Sequence, residues 1–513
     1  MTETISFGEL DFRLVSGMNE NRGQRTPETP FQIAVLGDFS GRTQRGLMEI
    51  GASLAERKVL PVDRDNIDAM LARLKVQIFL PAADSADAPE MLSFTELDDF
   101  HPDRIYSKLA LFQALQAARK KADDPKAFAE SLGKLAAKNK SVQPEPPPPP
   151  KVSSTSDFLD QVLDATGHAP EERKTAPRLE TQWDRFLQKL VAPHTQPDTT
   201  VLRTDLKAKL DTAAGDMMRA LLHYPAFQQL EAIWRTLAFL VSRVETDETL
   251  RICLIDVSKE EIAADVRSAE NLRNTGIYKL LVEKSVLTPG AYPWSLLLGM
   301  YSFGPNASDL ETLGRMAKIA HHSGAPFLSG ADVRLLGCPS LFQLPDPSAW
   351  PGLPPEADAA WSRLRRLPEA CWLGLALPRF LLRLPYGANT DPTERFDFEE
   401  MPEKPCHDEY LWGNPAVVCA FLLANAFSRD KWQLRPGTFQ DVERLALHIT
   451  TKAGETITQP CAEVLLTERT ALKILDTGLM PLVSFKDQDM ARLVRFQSIA
   501  QPATQLAGPW QEA

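Results

Sequence analysis

Residues 143–151, QPEPPPPPK, constrain what this chain can fold into more than any other stretch. Each proline locks φ at about −65° and carries no amide donor, so the run can enter neither a helix interior nor a sheet ladder. What remains is an extended polyproline II rod with a solvated backbone. A linker over 143–151 is therefore expected between two folded units. The Lys- and Ala-rich stretch 103–140 before it reads as helical. After it, Ser153-Ser154-Thr155-Ser156-Asp157 offers a string of helix N-caps. Phe158, Leu159, Val162 and Leu163 then fall at i, i+1, i+4 and i+5, one apolar stripe on a short helix. That pattern fits a small docking helix on a tether.

The first unit opens on ISFGELDFRL (residues 5–14), where Ile5, Phe7, Leu10 and Phe12 partly alternate as in a half-exposed strand. Such a strand with a bare edge would pair with a partner. Residues 31–36 (FQIAVL) form a continuous apolar run stopped by Gly37, the pattern of a strand buried on both faces. The spacing predicts a helix over 66–74 and strands over 76–80 and 92–97. In the second unit, residues 227–241 form an amphipathic helix behind Pro225, with Leu230, Trp234, Leu237 and Val241 on one face. Strands follow at 250–257 and 295–301, then a helix over 309–322, the segment 325–328 and a buried strand over 371–377. Pro-rich loops such as 344–355 separate them. The fold class is mixed α/β (α+β in places): two units with mixed sheets flanked by helices, joined by the polyproline linker.

With 513 residues, 43% of them hydrophobic, the chain can bury two or three cores. A net charge of −11 argues against a broad nucleic-acid or anionic-membrane surface, which needs clustered Lys and Arg, and makes proteins the expected partners. The N-terminus lacks the basic start and apolar core of a secretion signal, and no apolar run reaches the roughly 20 residues of a membrane span, so a cytoplasmic location is expected without membrane insertion. Six cysteines are scattered without a C-x-x-C pair, which indicates neither a disulfide framework nor a zinc ribbon. No cofactor, metal or catalytic residue is expected.

Several stretches tempt a sharper reading. Gly37-Asp38-Phe39-Ser40-Gly41-Arg42 follows a buried strand, where phosphate loops also occur, but it lacks the Walker spacing and reads as a glycine-permitted turn with an Asp or Ser cap. Cys406-His407-Asp408-Glu409 combines a thiol, an imidazole and carboxylates without a second ligand cluster, so His407 reads as a structural hydrogen-bonding residue. His321-His322 suits a helix C-terminus. Arg379, Arg383 and Arg395, near Asp397, Glu399 and Glu400, read either as local ion pairs that rigidify a loop or as intersubunit contacts. The Trp234 stripe reads as core.

Ordered landmarks point to a family. ETPFQIAVLGDFSGR (28–42), VDRDNIDAMLARLK (62–75) and LSFTELDDFHPDRI (92–105) resemble the small sheath subunit of type VI secretion systems, TssB or VipA. FLDQVLDATG (158–167), HYPAFQQLEAIWRTLAFLVSR (223–243), LRICLIDVSKEEIAADV (250–266), GAPFLSGA (324–331), LGLALPRFLLRLPYG (373–387) and FDFEE with HDEYLWGNPA (396–416) resemble the large subunit, TssC or VipB. The resemblance implies a natural fusion. Residues 1–142 are small-subunit-like, 143–151 the linker, 152–222 a helical segment opening the large-subunit-like part, and 223–513 its core. It implies a structural, non-enzymatic component of a contractile injection apparatus that forms oligomers. Its partners would be other sheath subunits, inner tube or baseplate components and a ClpV-like AAA+ unfoldase, the last reading the helix at Phe158, Leu159, Val162 and Leu163. Large subunits continue beyond the segment resembling 461–502 into a C-terminal handle, which this sequence is expected to lack. A non-polymerising adaptor, cap or assembly regulator is the alternative, and an enzyme on an α/β scaffold a more distant one.

Overall fold

The computed structural model describes residues 6–8, 25–26, 28–80, 90–124, 199–401, 406–452 and 455–510. The expected linker 143–151 and the apolar stripe Phe158, Leu159, Val162 and Leu163 lie outside the described residues, as do Ile5, Leu10 and Phe12.

The first unit contributes β1 (Phe31–Gly37), α1 (Ala52–Ala55), β2 (Leu60–Pro61), α2 (Ile67–Leu74), β3 (Val76–Leu80), β4 (Glu90–Phe94), α3 (Pro102–Lys108) and α4 (Ala110–Asp123). The second opens with α5 (Thr199–Leu222) and α6 (Pro225–Arg243), then β5 (Leu250–Asp256), α7 (Lys259–Arg267), α8 (Gly276–Tyr278), β6 (Leu296–Phe303), α9 (Ala307–Ser323) and β7 (Phe327–Ala331). It closes with α10 (Pro355–Arg365), β8 (Leu373–Leu377), β9 (Phe380–Leu381), β10 (Trp412–Gly413), α11 (Ala416–Asp430), β11 (Asp441–Val442), β12 (His448–Lys452), β13 (Glu455–Gln459), α12 (Glu468–Asp476), β14 (Met480–Ser484) and β15 (Ala491–Leu493).

Mixed α/β is the observed class, but the strands are not divided between two separate sheets. One nine-stranded sheet runs β11-β15-β14-β8-β7-β6-β1-β5-β2. β1, from the first unit, lies between β5 and β6 of the second, parallel to both. It matches β5 along its whole length, from Phe31 opposite Leu250 to Gly37 opposite Asp256. The reason is in its composition: seven residues, all buried, need cover on both faces and on both edges. Phe31, Ile33 and Val35 enter one core with Trp234 and Phe427, whereas Ala34 and Leu36 enter a second with Ile262 and Leu313. That alternation is the period of two expected of a strand. The interior strands from β14 to β5 are parallel, and the edges β2 and β11 are two-residue strands joined antiparallel, β2 carrying Pro61. Short, proline-bearing edges resist further pairing.

Helices α6 and α11 cover one face together with α2 and α3 of the first unit, and α7, α9, α10 and α12 cover the other. α6 begins with Pro225 at its first turn, where the missing amide costs nothing. α9 starts on the Asn306 side chain, which accepts from the Asp309 amide, and ends on Gly324 at φ 66°. Two local expectations change. Residues 95–97 leave the predicted strand for a 3₁₀ turn, Leu97–Phe100, held by a reciprocal capping box between Glu96 and Asp99. The helical stretch expected from residue 103 onward is broken at Leu109, whose backbone is extended.

Candidate functional site

The seam between the two units carries a dense set of hydrogen bonds and ion pairs. β5 ends in Asp256, whose Oδ1 accepts the amides of Phe39 (2.9 Å) and Ser40 (3.0 Å) and whose Oδ2 accepts the Ser40 hydroxyl (2.7 Å). Burial raises this carboxyl, against the Ser40 hydrogen bonds that favour its charge. Arg42, from the first unit, grips Glu261 of α7 with both ends of its fork, Nε to Oε2 and Nη2 to Oε1, each at 2.8 Å. Burial would raise the Glu261 carboxyl, but Arg42, the Ser258 amide and Arg57 hold it below its ordinary value. Asp265 of α7 accepts the Gly51 amide at 2.6 Å on one side and the Ile277 amide at 2.8 Å on the other. The Trp234 indole N–H donates to the Phe39 carbonyl at 2.8 Å, and the two rings meet edge to face at 5.3 Å. Stacked Phe94 and Phe100, 4.2 Å apart, both touch Phe227.

GDFSGR is the turn that joins β1 to this seam. Asp38 caps it by accepting the amides of Arg42 (2.5 Å) and Thr43 (2.9 Å). Gly41 has φ 74°, and a Cβ there would meet the Gln77 carbonyl at 2.7 Å, so only glycine fits. The capped-turn reading of this hexapeptide is what the geometry contains.

A second buried ion cluster ties α6 to the loop after β9. Arg383 bonds Glu231 (Nε to Oε1, 2.8 Å) and Glu400 (Nη1 to Oε2, 2.7 Å), and Glu231 also receives Arg235 at 2.6 Å. Burial would raise Glu400, but Arg383, His223 and the Tyr386 amide reverse this and pull it down to about 2. Burial pushes the Tyr386 hydroxyl up to about 12.

The sequence-predicted residues therefore separate. Arg383 makes its bonds inside the chain, in the local-ion-pair manner. Arg379 is half exposed and pairs with Glu463, while Arg395 is exposed and its side chain makes no ion pair among the described residues. Phe7 sits not in a strand but against Gly314 of α9, so close that a Cβ on that glycine would lie 2.2 Å from its ring. His407 stacks on Phe342 at 4.8 Å and approaches Glu463 at 3.4 Å. Among the described residues no group of His, Cys, Asp and Glu could hold a metal. Glu400, a local ion-pair candidate by sequence, pairs with Arg383, but Asp256, Glu261, Asp265 and Glu231 escaped the sequence reading as partners, because these contacts are made across roughly 150 to 220 positions and carry no local spacing.

This arrangement can hold the two units together as one body. Residues 204–500 match the VipB family, the EvpB-type tail sheath N-terminal domain. The chain belongs to the VipB tail-sheath family. Residues 17–142 match the VipA family of type VI secretion systems, so small- and large-subunit sheath parts share one polypeptide. The chain is also similar to the type VI secretion system sheath protein TssC1 of Pseudomonas aeruginosa, 32% identical over 328 residues, which is 61% of this chain. That overlap spans 66% of the relative's length. In this sheath-family chain the seam described above runs between the VipA-matching and VipB-matching parts.

Proposed function

We propose that this protein is a structural subunit of a type VI secretion sheath that delivers its small and large parts in fixed one-to-one ratio by covalent fusion. The observation that carries the reading is β1 of the VipA-matching part lying between β5 and β6 of the VipB-matching part. A protein so built has its sheath core complete within one chain, and its role is scaffolding rather than catalysis. Its partners are other copies or sheath subunits, with inner tube or baseplate components, and its location is the cytoplasm. Among the described residues no helix is long and apolar enough to cross a membrane. Exposed Arg395 and half-exposed Arg379 are the arginines available for contacts between subunits. The domain limits 1–142, 143–151, 152–222 and 223–513 belong to the same proposal. So does recognition of Phe158, Leu159, Val162 and Leu163 by a ClpV-like unfoldase, which a peptide spanning 153–167 tests against its Leu159→Asp version.

Electron microscopy of the purified full chain tests the central claim. Ribbed tubes, alone or with sheath subunits of the same cell, are the expected result. Particles that neither polymerise nor join such tubes would remove it.

A further inference from the structure

Parallel strands β1, β6 and β7 end on a common cleft of about 480 Å³. Open α/β sheets take their ligands outside the carboxyl ends of their strands, where connections diverge. Both units build the walls: Asp38, Thr43 and Ile78 come from the first, and Ile233, Met300 and Trp412 from the second. The cleft therefore exists only where the two parts are assembled.

Its lining is largely apolar, and its rim is electrically unbalanced. Lys259 is neutralised by Asp309 at 2.7 Å and Arg379 by Glu463. Among the described residues Asp38 and Glu260 have no such partner: Asp38 accepts the amides of its own turn, and exposed Glu260 accepts the Thr43 hydroxyl at 3.2 Å. Behind them the field stays negative, since burial and then the carboxylates of Asp38, Asp256, Glu261 and Glu260 push the Tyr301 hydroxyl up. Thr236, 1% exposed, lines the wall. An occupant thus has to supply apolar bulk and a positive charge side by side.

We propose that this cleft receives a segment of a partner protein in which an apolar side chain adjoins a lysine or arginine. The apolar group enters between Ile78, Ile233 and Met300, and the cation meets Asp38 and Glu260. Complementary charge at the rim selects the partner, and the apolar contact supplies the affinity. The inference does not depend on sheath function, because peptide binding can fail while tubes still form.

Fluorescence anisotropy with the full-length chain tests it, using a labelled pentapeptide Gly-Leu-Lys-Leu-Gly and its counterpart with glutamate in place of lysine. The lysine peptide should bind at least about tenfold tighter at low salt, a preference that salt weakens. Glu260→Lys, a change at an exposed site that leaves the melting curve in place, should reverse the order. Ala232→Trp, which fills the cleft from α6, should abolish binding of both. Equal affinity for the two peptides, no binding at about 1 mM, or an unchanged preference in Glu260→Lys would each overturn the proposal. Concentration-dependent dimerisation that Glu260→Lys abolishes would assign the cleft to a second copy and overturn it as well.

Discussion

Asp256 shows how one side chain can hold two parts of a chain together. Its carboxylate faces three donors from residues 39 and 40. Asp256→Asn keeps Oδ1 for the two amides and lets the new amide donate to Ser40 Oγ, so a change within about 1 kcal/mol is expected. Asp256→Leu leaves those donors unpaired and should cost about 3 kcal/mol or more in urea unfolding. Because burial raises this carboxyl, its contribution is present at low pH and declines as pH rises through the raised value; the asparagine variant should lack that decline. Glu400 behaves oppositely. With its carboxyl held at about 2 against an ordinary 4.5, its stabilisation is complete above the ordinary value and lost as pH falls toward 2. Its magnitude is about 3 kcal/mol, and urea titrations between those pH values should find the slope reduced in Glu400→Gln. Arg383→Met, which strands Glu231 and Glu400 without their shared cation, should cost about 3–5 kcal/mol. The charge-rich character of residues 379–400 was legible in the sequence. That Arg383 points into the protein was not, since its partner Glu231 is 152 positions away.

The elements that read most clearly are those whose pattern depends on burial alone. β1 is an unbroken apolar run because it is central, and α6 carries its stripe behind Pro225 because one face meets the sheet. The same stripe hides a polar function: Trp234 is both core and donor to Phe39. Trp234→Phe keeps most of the apolar bulk and should lose about 1–3 kcal/mol, read from thermal unfolding, through the orphaned carbonyl and the small void. Of the strand expected over 92–97, residues 92–94 hold, and only the end misled, because the Glu96–Asp99 capping box turns it into a 3₁₀ helix. On α9, Gly314 exists to admit Phe7. Gly314→Leu should expel Phe7 and make the N-terminal segment sensitive to limited proteolysis, with the remaining fragment still folded.

For the whole molecule the decisive fact is that the sheet is continuous across the seam. A chain of residues 143–513 alone would carry β5 and β6 with nothing between them, exposing two strand edges that aggregate readily. It should be insoluble when made alone and should become soluble and co-purify when residues 1–142 are supplied as a separate chain. Cooperative folding of 143–513 by itself would contradict a shared sheet. The polyproline run at 143–151, the α/β class, the buried strand at 31–36 and the Trp234 helix could all be read from composition and spacing, because each expresses a local rule: a missing donor, a period of two, a period of 3.6. Two linked units were expected from that run, and the sequence by itself determined no more than their number and class. Only the tertiary structure decided that they share one sheet, since strand order depends on which edges find cover and no local pattern encodes a pairing across more than 200 residues. The proline run stands in the sequence between the two family matches, whereas the core, built by burial, is shared by both of them.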